Sequence, residues 1–311
     1  MKKASIFLCL TLIIMFFAAC TEDKPLNNSS QVDEMDSYWI DENGDLQINF
    51  KNHTAALEIN ALQDSIILVD DQQRLLILTD PSDQYQHGIL GDSIEATSVT
   101  IIHLSDEPYV INKFSIPEDW VIESIKPLWS DWDDDGNKEI VLTLSNSTDG
   151  SKIVLYDESG NSLAESAPIG IGYRWRHVLG IAPFAEDGQK LLVDVQTPHI
   201  GGIVNYYSWD KENNVIKVEA SLSGYSTHDI GSRDMHMYLL TLNEENQQTL
   251  LIVPTQSKKE LVALRYRSGT IHEEWTIALG GKLTGNLSWE GDDSIGAVID
   301  DNQKILLETP K

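Results

Sequence analysis

Residues 131–160 read DWDDDGNKEIVLTLSNSTDGSKIVLYDESG. Carboxylates take every second position at Asp131, Asp133 and Asp135, and Gly136 follows at once. A segment that curls back on itself turns alternate side chains inward, where a hard cation can collect their oxygens. The glycine allows the sharp bend that aims a following carbonyl the same way. The acidic run leads directly into an apolar β-type stretch (139–144), a polar turn, and a second β-type stretch (152–156). Leu142 stands where an EF-hand would carry its bidentate glutamate, and no helix-period segment flanks the loop. The stretch therefore predicts a cation-stapled β-hairpin.

The same grammar recurs along the chain. Residues 38–40 and 46–50 flank Glu42-Asn43-Gly44-Asp45, in which Asn-Gly accepts positive φ. Further hairpins are predicted for 65–69 with 75–78, 98–104 with 109–114, 191–195 with 203–209, 249–253 with 261–266, and 295–299 with 304–307. Laying Gly188 over Gly136 places Asp187 on Asp135 and Leu192 on Ile140. A second overlay, at 242–251, sets Glu244 on Asp133 and Asn246 on Asp135. Hairpins repeating every 40–50 residues or so predict an all-β repeat fold. The expected form is a β-propeller of about six blades, with seven as the alternative, and with the 38–50 hairpin closing the ring against the C-terminal strand. The eight tryptophans, spread at nearly one per repeat, are expected to pack between blades.

Asp131-Trp132-Asp133-Asp134-Asp135-Gly136-Asn137-Lys138-Glu139-Ile140 resembles the D-x-D-x-D-G-x-x-[DE]-[ILV] signature of FG-GAP/VCBS repeats. Those repeats build β-propellers, including the integrin α head and many exported bacterial proteins. The resemblance implies Ca²⁺ bound by the side chains of Asp131, Asp133, Asp135 and Glu139 and by the carbonyl of Asn137, in a structural role. Segments 87–92, 174–180, 197–202 and 228–234 also resemble a group of exported bacterial FG-GAP proteins. Together the likeness spans most of 38–311 and implies a fold rather than an activity.

The N-terminus has a different character. Lys2 and Lys3 precede an apolar run at 6–17 that is too short to span a bilayer, and Ala18-Ala19-Cys20 ends it. This resembles a bacterial lipoprotein signal, with 1–19 removed and Cys20 lipidated. Residues 20–37, polar and containing Pro25, read as a flexible tether, and 38–311 as the propeller domain. Thr21 after the cysteine implies the outer membrane, on its periplasmic or its outer face. Cys9 lies in the leader, so the domain itself holds no cysteine for a disulfide or a thiolate. The formal charge of −27 becomes −29 when the two leader lysines go, because no acid goes with them. Such a surface repels nucleic acid and anionic headgroups, so the membrane is expected to be met through the lipid alone.

Against that acidic background, Arg174, Arg176, His177, His199, His228, Arg233 and Asp234 form a local reversal of charge. They are read either as a pocket for an anionic or sugar-like ligand, with arginines as forked donors, or as ties between blades. Ser226-Thr227-His228-Asp229 holds the atoms of a triad, but neighbours on a strand point to opposite faces. No G-x-S-x-G or H-E-x-x-H is present. The expected function is a calcium-stabilised, non-catalytic binding or scaffolding domain at the bacterial envelope, meeting an envelope protein or glycan. The alternative is an envelope hydrolase or lyase acting on a glycan or anionic polymer through the arginine–histidine cluster.

Overall fold

The computed structural model describes residues 35–243, 247–291 and 293–310. The leader, Cys20, the tether to residue 34, and Glu244 and Asn246 lie outside them. Among the described residues the protein is all-β, with one turn of 3-10 helix at Asp300–Asn302.

The chain runs through six antiparallel meanders. The first holds β1 (Met35–Ile40), β2 (Asp45–Phe50) and β3 (Thr54–Glu58). The second holds β4 (Leu68–Val69), β5 (Arg74–Ser82), β6 (Glu95–His103) and β7 (Tyr109–Ser115). In the third are β8 (Val121–Ile122), β9 (Leu128–Ser130), β10 (Glu139–Asn146), β11 (Gly150–Tyr156) and β12 (Ser162–Glu165). The fourth comprises β13 (Arg176–Pro183), β14 (Lys190–Gln196), β15 (Ile203–Asp210) and β16 (Val215–Ser223). The fifth comprises β17 (Leu239–Asn243), β18 (Gln248–Pro254), β19 (Glu260–Arg267) and β20 (Thr270–Ala278). The last is β21 (Ser288–Trp289), β22 (Ser294–Ile299) and β23 (Gln303–Glu308). Single rungs, Ala96 to Ile122 and Glu165 to Val215, join the second, third and fourth meanders into one sheet.

Each predicted hairpin is present. Outer strands such as β16 and β20 were not anticipated, because one face of each is solvated and apolar residues recur along them only sparsely. The 35–50 hairpin pairs with β3; among the described residues no C-terminal strand joins it.

Strand alternation explains how the meanders stack. Inner strands are buried on both faces, so successive residues serve different cores. Leu75 and Ile77 pack with Leu46 and Ile48, whereas Leu76 and Leu78 pack with Ile140 and Leu142. Val141 and Leu155 meet Leu192 and Tyr207, while Val193 and Val195 meet Leu251 and Val253. Ile252 and Ala263 then join Ile295 and Ala297. Five cores thus link six consecutive meanders. Trp132 and Trp209, centroids 6.0 Å apart, pack between the third and fourth, whereas Trp39 is 42% exposed.

The repeat is also written in the turns. The turn leading into β2, β5, β10 or β14 carries an aspartate whose Oδ1 accepts the N–H two residues on. Asp41, Asp70, Asp135 and Asp187 all do this, at 2.8–3.0 Å. Gly136 and Gly188, with φ of 90° and 84°, occupy equivalent turns, in keeping with their overlay in sequence.

Candidate functional site

The acidic loop and the histidines lie at opposite ends of the strands. The loop joins β9 to β10 beside Lys190 at the start of β14, whereas Thr143, further along β10, reaches Arg176 at the start of β13. At the loop, ligand oxygens of Asp131, Asp133 and Glu139 lie within 4.8 Å of one another. Asp135 is not in that group; its Oδ1 accepts the N–H and the side-chain amide of Asn137. Glu139 is buried at the head of β10 and accepts the Trp132 N–H at 2.8 Å. Burial first, then the charges of Asp133, Asp135 and Asp131, push its carboxyl up to about 7. Lys211 pairs with Asp133, and Lys190 with Asp134 at 2.5 Å. Three converging carboxylates fit a hard dication, and the lysines on the loop's rim mark the charge such an ion would answer.

At the other end, the connections between meanders and the β14–β15 and β18–β19 turns bring polar side chains together. Trp175 lies at the centre: it is buried, donates through Nε1 to the Glu123 carbonyl at 2.8 Å, and stacks on His177 with centroids 5.2 Å apart. His177 Nδ1 meets Thr227 Oγ1 at 2.9 Å, and His199 Nε2 meets His228 Nδ1 at 3.1 Å. His228 Nε2 lies 2.9 Å from the Ser232 carbonyl, which can only accept. So His228 carries its proton on Nε2 and its Nδ1 accepts from His199, leaving His199 Nδ1 with a lone pair. Burial is the first cause that holds both imidazoles down at about 4.

The rest of the sequence cluster divides. Strand alternation sends Arg176 to the opposite face from His177, where it pairs with Asp194 at 3.1 Å. Arg174 is exposed and donates to the Ile169 carbonyl, and Asp234 accepts from Ser232. Arg233 is held by Asp64 at 2.7 Å and Asp92 at 2.6 Å. Ser226 Oγ faces the His228 carbonyl rather than its ring, so no triad forms there.

What His199 and His228 do share is a cavity of about 400 Å³ lined by His199, Ser226, His228, Asp229, Ile230, Gln256, Lys258 and Lys282. Lys258 is almost wholly buried, donates to the His228 carbonyl at 2.8 Å, and pairs with Asp229 at 2.7 Å. Lys282, more exposed, stands 3.6 Å from the same carboxylate. Gln256 accepts the Gly202 N–H at 2.7 Å and donates to the Pro198 carbonyl at 3.0 Å, fixing the β14–β15 turn at the cavity's edge. Only glycine fits at 202, because a Cβ there would lie 1.8 Å from the Tyr225 carbonyl oxygen. The lysines were missed in sequence because they sit in ordinary turn stretches; only the tertiary arrangement sets them beside His199 and His228. A larger groove of about 600 Å³ crosses the face of the β21–β23 sheet, where Ser288 and Glu290 bond to each other.

The histidines leave a pH signature. In the unfolded chain His228 takes up a proton near pH 6.5, in the folded protein only near pH 4. As pH falls through that window the unfolded state binds more protons, so stability falls. Relative to His228→Gln, the native protein is expected to lose about 1 kcal/mol per pH unit between pH 6.5 and 4, read by urea unfolding at each pH. A difference independent of pH would contradict the neutral, buried imidazole.

No family model and no curated protein matches this sequence. Among solved structures, it is similar to a Bacteroides fragilis protein provisionally assigned as a 6-phosphogluconolactonase. The TM-score is 0.48 and the identity 10%, over 92% of this chain and 80% of that one.

Proposed function

We propose that this is an exported, lipid-anchored β-propeller of six blades that binds an anionic glycan at the envelope without transforming it, stapled by calcium at its Asp131 loop. Six consecutive meanders joined by five shared cores support the propeller. The observation that carries the binding site is the cavity where Lys258 and Lys282 share the single carboxylate of Asp229. Two ammonium groups against one carboxylate leave a local positive excess in a chain of charge −27. His199, with its free lone pair, can accept from a sugar hydroxyl, and Ile230, 70% exposed, offers an apolar face to ring C–H groups. Binding is favoured over turnover because Ser226 Oγ faces the His228 carbonyl rather than its ring, and the arginines assigned to the hydrolase reading face elsewhere.

Calorimetric titration with polygalacturonate and with neutral dextran tests the reading. Binding is expected for the polyuronate alone, weakening with salt, and falling about tenfold in Lys282→Ala. Equal binding of both polymers, or an unchanged affinity in the variant, would remove the cavity from consideration.

A further inference from the structure

A separate cavity of about 230 Å³, room for a single sugar ring, adjoins the Asp131 loop between the third and fourth meanders. Trp132, Trp209, Asp133 and Lys211 line it, together with the β13–β14 turn at Gly188 and Gln189. The Trp132 indole is committed to packing: it is 4% exposed, and its Nε1 donates to the Lys190 carbonyl at 3.1 Å. Trp209 is only half-buried, so its ring is the apolar surface the cavity presents.

That surface is covered. The Lys211 ammonium stands over the Trp209 ring, 4.8 Å from its centroid, and pairs with Asp133. Asp133 is its one ion-pair partner among the described residues, and the lysine side chain is 55% exposed. An exposed ion pair and an exposed cation over a ring are each weak, so the cover is loosely held. Lys190 is held differently, with its Nζ on the Asp131 carbonyl at 2.6 Å and on the Asp134 carboxylate at 2.5 Å. Neither of those atoms belongs to the converging carboxylates of Asp131, Asp133 and Glu139. Of the two lysines, Lys211 alone depends on a carboxylate that the cation site also needs.

We propose that this cavity is a calcium-gated site for a uronic acid residue, with Lys211 as its latch; the gating rests on the calcium reading of the loop. With Asp133 committed to the cation, Lys211 loses its carboxylate, leaves the Trp209 ring and presents an unpaired ammonium at the cavity's edge. A uronate matches both exposed groups, laying its ring C–H face on the indole and its carboxylate on the ammonium. A neutral sugar leaves the ammonium unpaired, and a simple carboxylate leaves the indole uncovered. By linkage the acidic sugar strengthens calcium binding by the same factor as calcium strengthens its own, because both favour the state in which Lys211 has left Asp133.

The test is a tryptophan-fluorescence titration of the full-length protein in detergent with trigalacturonate, in calcium and in chelator, using its methyl ester as the uncharged control. Binding is expected to be about tenfold tighter in calcium than in chelator, and weaker for the ester. The fluorescence change should vanish in Trp209→Leu, which keeps an apolar side chain against Trp132; a signal confined to Trp209 also leaves the Lys258 cavity out of the measurement. Lys211→Ala should weaken binding in calcium about tenfold. Asp133→Ala separates the latch from the metal: it frees Lys211 without any ion, so it should bind in chelator as tightly as the native protein does in calcium. If Asp133→Ala binds in this way while the native protein ignores calcium, calcium is overturned as the key and the uronate site stands. Equal affinities of Asp133→Ala and the native protein in chelator, or an unchanged affinity in Lys211→Ala, would overturn the latch even where calcium raises the thermal midpoint.

Discussion

Replacing Asp194 by alanine is expected to destabilise the protein by about 3–5 kcal/mol, the usual consequence of stranding a buried charge. Asp194 lies at 0% exposure on β14, and its carboxylate gathers Arg176 at 3.1 Å, Tyr207 Oη at 3.1 Å and Asn205 Nδ2 at 2.8 Å. Register explains the assembly. Asp194 pairs with Asn205, and Asn205 with Ser221, so one rung across β14, β15 and β16 carries a continuous row of polar side chains. Ser221 Oγ closes the row on Asn205 Oδ1 at 2.6 Å. Without the carboxylate, Arg176 would keep its charge at 5% exposure, with a Tyr207 hydroxyl and one carbonyl for company. The double variant Arg176→Met with Asp194→Leu should recover most of the loss, since apolar replacement of a whole buried pair is often neutral. Urea unfolding of the three variants decides it. A single-variant loss below about 1 kcal/mol would mean that water reaches Arg176 and the row is not a stabilising element.

The second large effect concerns calcium. If the Asp131 loop binds it, a concentration 100-fold above the dissociation constant should add about 2.7 kcal/mol, roughly 5–10 °C in thermal midpoint for a domain of this size. Chelation should reverse the gain, and Asp133→Ala should remove the response altogether. Lys211 makes the test sharper. Its ammonium sits on Asp133, where it competes with a metal, so Lys211→Met should tighten calcium binding. A thermal midpoint indifferent to calcium and chelator in both the native protein and Lys211→Met would leave the loop as an acidic turn neutralised by lysines.

The acidic loop was legible because its information is local. Alternate aspartates followed by glycine and a β-run dictate a curl and a strand whatever surrounds them, and the structure draws Asp131, Asp133 and Glu139 together. Asp135, read as an inward ligand from the same alternation, lies outside that group, with its Oδ1 accepting the Asn137 N–H. In the arginine–histidine cluster the outcome was mixed as well. Arg176 and His177 are neighbours in sequence and on opposite faces of β13, so one entered a buried ion pair and the other the histidine group.

By itself the sequence determined what period and turn chemistry can encode: an all-β chain of repeated hairpins, turns built on aspartate and glycine, and a loop of alternating carboxylates. The tertiary structure decided which faces meet. Whether Lys258 and Lys282 share one aspartate, and whether Asp194, Asn205 and Ser221 lie on one rung, depends on register and on contacts between residues far apart in the chain. A one-residue change in register would turn the side chains of that rung to the other face, and no local pattern records it.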